Sequence, residues 1–556
     1  MATKQFYERS EVKKGTYFSN IKAIVETPFY GNNVYPVQTP SEAYKLAEES
    51  PGTIVTDMPI YKPEAVGLPE GATALIFNDG AVQGRCAAAR RVIGEPGVDA
   101  EELGKVVRDA VYDTRFKTML KADAYVGLSP EFMVKAHLLI PDTEANILLS
   151  WMLNFQYCNE FYNEMYEKSK VIDGEADIYV FSDPTWSHPD FPLGLALFDP
   201  EHNCAAILGM RYFGEHKKGT LTLAWGIANR HGFCSCHGGQ KRYNLPDGRT
   251  FVAGVFGLSG SGKSTITHEK HGGKYGDITV LHDDAFVISN EGGNTYSVAL
   301  EPAYFDKTND YPTDHPDNKF LMTVQNVGCT LDKDGKKVIV PEDIRNGNGR
   351  AVKSRLWSPN RVDLFEESVN AVIWLMKDPT LPPLIKIDDP VVAASMGATL
   401  ATKRTTAERL APGVDPDALV VEPYANPFRT YPLSDDYAGS KKLFEGEHKA
   451  DCYIINTGFF GEKKVPKEVT FECLEAIIEQ RAEFKRFGKV DALKYMPIEG
   501  FEPDFDDVLY AKSVQARMND RVEFIESKIH LKGGYDKLPD EALEAMKKIA
   551  KQAAEK

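Results

Sequence analysis

No run of about eighteen uninterrupted apolar residues occurs in this 556-residue chain, so a membrane-spanning helix is not expected. The opening Met1-Ala2-Thr3-Lys4-Gln5-Phe6-Tyr7 has no apolar core such as a secretory signal needs, and the expected location is the cytoplasm. Cysteine is sparse. Eight, without a regular framework of spacings, suit reduced thiols better than structural disulfides. Cys234 and Cys236 beside His237 lack a second ligand pair at a finger-like spacing, so a structural zinc site is not expected. Positive charge is also in deficit: 65 Lys and Arg face 81 Asp and Glu, a net charge of -16 that repels the nucleic-acid backbone over most of the surface. Neither nucleic acid nor membrane is expected as a partner, and any anionic ligand must find a local cationic pocket. Internal repeats and low-complexity tracts are missing too.

The composition, 42% hydrophobic and 26% charged, is that of a globular protein, and the length calls for more than one core. The expected fold class is α/β, with two mixed α/β lobes. Ala74–Asn78 reads as a strand running into a loop at Asp79-Gly80 and Gly84-Arg85, and Asp99–Leu120 carries Leu103, Val106, Val107, Ala110 and Val111 at helical spacing. Ile178–Phe181, Leu193–Phe198 and Ala205–Leu208 read as short strands. Turn chemistry at Asn244-Leu245-Pro246-Asp247-Gly248 places a boundary there. The expected division is a substrate lobe over 1–245 and a nucleotide-binding lobe over 246–556. In the latter, Thr250–Phe256, Thr279–Leu281, Ala371–Met376 and Tyr453–Ile455 are strand candidates, Phe505–Ile529 is a long helix, and Asp540–Lys556 is a surface helix.

The pattern G-x-x-x-x-G-K-[ST] occurs from Gly257 to Ser264, as Gly257-Leu258-Ser259-Gly260-Ser261-Gly262-Lys263-Ser264, after one of these strands and before a helix candidate. Such a loop cradles the phosphates of a nucleoside triphosphate in backbone N–H groups. Lys263 reaches the β- and γ-phosphates, and Ser264, followed by Thr265, offers a hydroxyl to Mg²⁺. Downstream, Leu281-His282-Asp283-Asp284 sets two carboxylates at the end of an apolar segment, where a phosphoryl-transfer site holds its metal aspartate.

A second constellation makes the reading specific. Ile207-Leu208-Gly209-Met210-Arg211-Tyr212-Phe213-Gly214-Glu215-His216-Lys217-Lys218-Gly219 puts two lysines after a glycine-containing turn, and Ser235-Cys236-His237-Gly238 follows. With the phosphate loop and the aspartate pair in this order, the chain resembles the ATP-type phosphoenolpyruvate carboxykinases from about Gly84 to beyond Thr457. The resemblance assigns Lys218, His237 and Asp284 to Mn²⁺, with Lys217 neutralising developing negative charge. It makes Arg85 of Gly84-Arg85-Cys86 the holder of a substrate carboxylate or phosphate and Tyr212 a second substrate contact. Arg350 of Asn348-Gly349-Arg350 becomes the bridge between γ-phosphate and organic acid. It implies ATP/ADP, Mn²⁺ and Mg²⁺ as cofactors, and oxaloacetate, phosphoenolpyruvate and CO₂ as small-molecule partners. A monomer or small homo-oligomer and a mobile lid near Asp388–Arg409 complete the expectation. Five cations, Arg85, Lys217, Lys218, Lys263 and Arg350, would then focus positive potential on a chain of net charge -16.

The chain departs from that pattern in places. Glu291-Gly292-Gly293-Asn294-Thr295-Tyr296-Ser297 ends in serine where the family has a phosphate-binding lysine, with Lys307 or Arg355 as possible substitutes. Ala87-Ala88-Ala89 replaces the family's Pro-Lys-Asp. Asn456-Thr457-Gly458 keeps the N-T-G of the adenine side, but Lys463-Lys464-Val465 follows in place of an arginine-isoleucine pair. Two other readings therefore stand beside the first: a related P-loop kinase acting on a different small acid or a protein, and a non-catalytic nucleotide-binding homologue.

Overall fold

The computed structural model describes residues 2–77, 84–258, 260–291, 294–341, 349–403, 413 and 419–555. The chain is mixed α/β and divides into two compact units. Unit 1 is Met1–Ile227 with Ala299–Pro359 and Thr406–Val414; unit 2 is Ala228–Val298 with Asn360–Thr405 and Asp415–Lys556. The division therefore falls at 227/228 instead of 245/246, and the chain returns to unit 1 after residue 298. The turn expected to separate lobes is a hairpin: Phe233–Asn244 and Thr250–Phe256 pair antiparallel across it, with Leu245 N–H bonded to the carbonyl of Arg249 at 2.8 Å. Turn chemistry marks a reversal of the chain, and a reversal inside a sheet reads the same in sequence as one between domains.

Unit 1 is built on two sheets. The larger runs Val34–Val37, Met119–Ser129, Phe132–Pro141, Ile178–Asp183, Cys204–Leu208, Leu195–Asp199 and Arg90–Val92, with Gln156–Tyr157 paired to the second of these. Its central strands are buried along nearly their whole length, which is why they read as continuous apolar runs and not as alternating ones. The helix Ala100–Asp113 starts where Asp99 caps the N–H groups of Glu101 and Glu102 at 2.9 and 3.0 Å, and buries Leu103, Val107 and Ala110. It stops at Asp113, and the apolar residues from Met119 onward belong to a strand. Helix Ala145–Asn154 is buried on every side, a consequence of its ten-residue, almost uncharged sequence. The smaller sheet runs Tyr304–Lys307, Arg350–Lys353, Leu321–Gln325, Thr73–Phe77 and Thr53–Pro59.

Unit 2 carries a sheet in which Thr250–Phe256, Ala371–Met376 and Asp451–Asn456 lie side by side and parallel, flanked by antiparallel neighbours including Phe233–Asn244 and Leu384–Ile387. Its core joins Val255, Ile373 and Ile455 on the strands to Ile266 on the helix after the phosphate loop and to Cys473, Leu474 and Ile477 on the helix Lys467–Ile478. The helices Val508–His530 and Asp540–Ala554 pack together. On the first of them Arg521 places Nη2 3.2 Å from the buried carboxylate of Asp378.

Candidate active site

In unit 2 the strand Thr250–Phe256 delivers the chain to Gly257, and the helix Lys263–His268 takes it away. Gly260 and Gly262 have φ of +82° and +95°, a conformation that side-chain-bearing residues adopt only at a cost. Gly257 is required for another reason: a Cβ there would lie 2.5 Å from Ser261 Oγ and 2.9 Å from Leu375. Ser261 is buried, and its hydroxyl has no hydrogen-bond partner among the described residues. Lys263 is largely buried, while Ser264 and Thr265 are exposed on the first helical turn. Ser259 lies outside the described residues. Close packing seats the helix: Gly239 on the neighbouring strand approaches Thr267 so tightly that a Cβ would fall 1.9 Å from its hydroxyl. The buried Lys241 donates to the carbonyls of Ile266 and Glu269 at 2.7 and 2.9 Å, closing the helix's C-terminal end.

The same strand, Phe233–Asn244, presents His237. Its Nδ1 donates to the carbonyl of Ala425, which fixes the tautomer and turns Nε2 toward Asp284, 2.9 Å from Oδ1. Nε2 and the Asp284 oxygen thus face each other across a gap that a proton or a metal cation bridges. Lys263 Nζ stands 3.6 Å from the same Asp284 oxygen. Imidazole nitrogen and carboxylate oxygen suit Mn²⁺ or Mg²⁺, so the donor set fits a divalent cation. Among the described residues no group of three His, Cys, Asp or Glu side chains gathers as a metal cage, so a further ligand would have to be of another type. Burial pushes the neighbouring Cys234 thiol up to about 12 and raises that of Cys236 as well, which keeps both protonated at neutral pH.

The backbone that holds His237 is itself strained. Tyr424 and Ala425 have φ of +52° and +55°, and both are buried, with Tyr424 Oη donating to the carbonyl of Ala394 at 2.9 Å. No sequence signal pointed to them: the partner of His237 lies 188 positions away.

Unit 1 holds the other cations. Tyr212 immediately precedes the helix Phe213–Arg230, and Lys217 and Lys218 lie within it. Successive helical residues diverge by about 100°, so the two lysines face different surroundings. Lys217 is fully buried with Nζ 2.9 Å from Oε1 of Glu301, itself fully buried and accepting from Asn154 Nδ2 at 2.6 Å. Lys218 is half-buried, its Nζ 5.6 Å from the Trp225 ring. One turn earlier Glu215 takes the backbone N–H of Cys86 at 2.6 Å, tying the Arg85 loop to this helix. Burial pushes the Glu215 carboxyl up, and the Cys86 N–H, Arg85 and Arg90 oppose that shift, so both arginines face it. Arg350 is buried at the start of its strand, Nη1 donating to the carbonyl of Gly349 at 2.9 Å. Gly349 beside it packs against Thr308 so closely that a Cβ on residue 349 would meet its hydroxyl at 2.1 Å. Asn348, and Arg404–Arg409 of the expected lid, lie outside the described residues; Pro390–Ala398 of that stretch is a helix.

The Gly257–Ser264 loop runs between a strand and a helix of a mixed α/β chain, with a histidine–aspartate pair beside its lysine, the arrangement of an α/β enzyme that handles phosphate. The family model described as phosphoenolpyruvate carboxykinase matches residues 62–497. The chain belongs to the ATP-dependent phosphoenolpyruvate carboxykinase family. It is 26% identical over 360 residues to "Phosphoenolpyruvate carboxykinase (ATP)" of Aeropyrum pernix, covering 60% of this chain and 68% of that protein. The proteins of the same name from Bradyrhizobium sp. (strain ORS 278) and Saccharomyces cerevisiae are 24% and 25% identical, each over 74% of this chain and over 76% and 77% of their own lengths. Among the described residues no helix is long and apolar enough to cross a membrane.

Proposed function

We propose that the chain converts oxaloacetate and ATP to phosphoenolpyruvate, CO₂ and ADP, and the reverse. The observation that carries this reading is the His237–Asp284–Lys263 group, in which a tautomer-fixed imidazole, a carboxylate and the phosphate-loop lysine share one oxygen at 2.9 and 3.6 Å. Loss of CO₂ leaves an enolate, whose oxygen then takes the γ-phosphoryl group; both steps build negative charge. Mn²⁺ held by His237 and Asp284 would supply Lewis acidity, Lys218 being the ligand that the family resemblance adds, and Mg²⁺ at Ser264 would neutralise phosphate charge. Within unit 2, Lys263 and the N–H groups from Gly257 to Thr265 bind the triphosphate and orient its terminal phosphorus. Within unit 1, Arg85 and Tyr212 hold the substrate carboxylates, Arg350 stabilises the transferring group, and Lys217 places a positive charge near the enolate. Excluding water keeps the enolate from being protonated to pyruvate. The small molecules are the only partners this chemistry needs, and the enzyme works as a monomer or small homo-oligomer in the cytoplasm.

The test is phosphoenolpyruvate-, ADP-, bicarbonate- and Mn²⁺-dependent formation of oxaloacetate, coupled to malate dehydrogenase, with Lys263→Ala and His237→Ala as controls. Activity lost in both variants supports the reading. An inactive wild-type chain that still binds ATP, with binding abolished in Lys263→Ala, overturns it in favour of a kinase of another substrate or a nucleotide-binding homologue.

A further inference from the structure

Unit 1 contains a cavity of about 460 Å³ whose lining includes none of the candidate site residues described above. One wall comes from Thr3–Phe6 and from Pro36–Gln38, which precede the part of the chain matched by the family model. The other is the face of the long hairpin Met119–Ser129 and Phe132–Pro141 that carries Lys121, Asp123, Tyr125 and Lys135.

The floor is a closed polar network. His137 is fully buried between two carboxylates, Nδ1 2.6 Å from Asp123 and Nε2 3.0 Å from Asp177. Asp177 also accepts from Thr3 Oγ1 at 2.5 Å, and that hydroxyl meets Tyr166 Oη at 2.6 Å. Burial lowers the imidazole pKa and the two carboxylates raise it by more, so it lies above its ordinary value. Asp177 is thereby committed to His137 and Thr3. Asp123 is shared among His137, Lys121 and Lys135, the two ammonium groups standing 3.6 and 3.7 Å from its oxygens. Those distances exceed a hydrogen bond, and neither ammonium makes one among the described residues. Lys4, which meets Glu11 at 3.3 Å, brings a third ammonium to the rim. Glu167 adds a third carboxylate, so the three ammonium groups of the lining are matched in number and the positive excess is local, two ammonium groups against the one carboxylate of Asp123 that His137 also engages, while Phe6, Pro36, Val37, Tyr125 and Tyr166 give the rest of the lining an apolar character. A concave, mainly apolar site of this volume with a few convergent polar groups is the form that small-molecule sites take.

We propose that this cavity is a second ligand site, for a small organic anion whose acidic head lies between Lys121 and Lys135 and whose carbon body lies against Tyr125, Tyr166 and Val37. The rigid floor pre-organises the two lysines, so binding needs little ordering of the protein. The site is independent of the carboxykinase reading.

Isothermal titration of the full chain with benzoate, phenyl phosphate and benzylamine tests it. One or both anions should bind and benzylamine should not, distinguishing carboxylate from phosphate as the preferred head. Affinity should fall at least about tenfold in Lys121→Gln/Lys135→Gln, persist in the charge-keeping Lys121→Arg/Lys135→Arg, and be unchanged in Arg85→Ala. Failure of both anions to bind, binding of benzylamine, or anion binding lost in Arg85→Ala and kept in the double Gln variant would overturn the proposal. The Arg variant keeps the test decisive where the Gln variant does not fold.

Discussion

Replacing Glu301 by Gln should destabilise unit 1 severely, and the structure gives the size. Lys217 and Glu301 are both fully buried, with Nζ 2.9 Å from Oε1. At that separation two unit charges attract by about 6 kcal/mol at an effective dielectric constant of about 20, an attraction that offsets the desolvation of both groups. Glu301→Gln keeps the shape and an oxygen for Asn154 but removes the charge, leaving the buried ammonium without its counter-ion. The expected cost is about 3–5 kcal/mol. Lys217→Met/Glu301→Leu removes both charges together and should recover most of that loss, since a buried pair and a packed apolar pair differ little in net stability. Differential scanning calorimetry with guanidinium unfolding reads the effect. Because the chain has two units, the transition assigned to unit 1 must be followed separately from that of unit 2. A cost below about 1 kcal/mol for Glu301→Gln, or a double variant less stable than either single one, would refute the reasoning.

Gly239→Ala should drive the phosphate-loop helix off its strand, lowering ATP affinity in a binding titration and costing about 1–3 kcal/mol. Adding Thr267→Ala, which removes the hydroxyl 1.9 Å from the new Cβ, should restore both. Gly349→Ala meets Thr308 Oγ1 at 2.1 Å and should displace Arg350, reducing kcat/KM with little change in ATP affinity to unit 2, as steady-state kinetics and nucleotide titration together would reveal. Asp436, fully buried, has its pKa raised to about 6 by burial, against the pull of Arg429 and the Tyr431 hydroxyl. The folded state therefore holds this proton more tightly than the unfolded chain, and stability falls as pH rises from about 3.9 through about 6. Asp436→Asn should stabilise the protein at pH 8 by up to about 3 kcal/mol and leave it unchanged at pH 3, measured by denaturant midpoints at the two values.

What the sequence disclosed about the fold was local. Thr250–Phe256 and Ala371–Met376 were legible to the residue as strands because each is an uninterrupted apolar run bounded by polar turns. Phe233–Asn244 was not: it carries His237, Gln240, Lys241 and Arg242 among two aromatics and two glycines, and only pairing with strands on both sides buries His237, Gln240 and Lys241. The division into units was hidden for a related reason, since residues 299–359 return to unit 1 through contacts that no local pattern announces. In the site, the phosphate loop was legible because glycine spacing, lysine and hydroxyl must be adjacent for the backbone to wrap a phosphate. The supports of the site residues were not legible. Ala425 behind His237, Glu301 against Lys217, and Thr308 filling the place of a side chain at residue 349 are each distant in sequence and chemically ordinary. Glu215 lay inside the quoted motif, and its role in anchoring Cys86 emerges only from the 2.6 Å contact.

The serine at 297 leaves the family's phosphate lysine unreplaced at that position, since Ser297 is fully buried and its hydroxyl has no partner among the described residues. Of the two candidates to supply the charge, Arg355 sits in a short helical turn beside a small cavity lined by Val66, Met152, Phe155 and Pro302. Lys307 is placed otherwise: it is the Cα partner of Arg350 across the antiparallel pair Tyr304–Lys307 and Arg350–Lys353, so the two side chains emerge on one face of the sheet. Like charges directly opposite each other cost stability, typically some tenths of a kcal/mol, and a bound polyanion would reverse the sign of that term. Lys307→Met should therefore raise the KM for ATP several-fold, whereas Arg355→Met should leave that KM unchanged. A KM indifferent to Lys307, or sensitive to Arg355 alone, would assign the charge elsewhere.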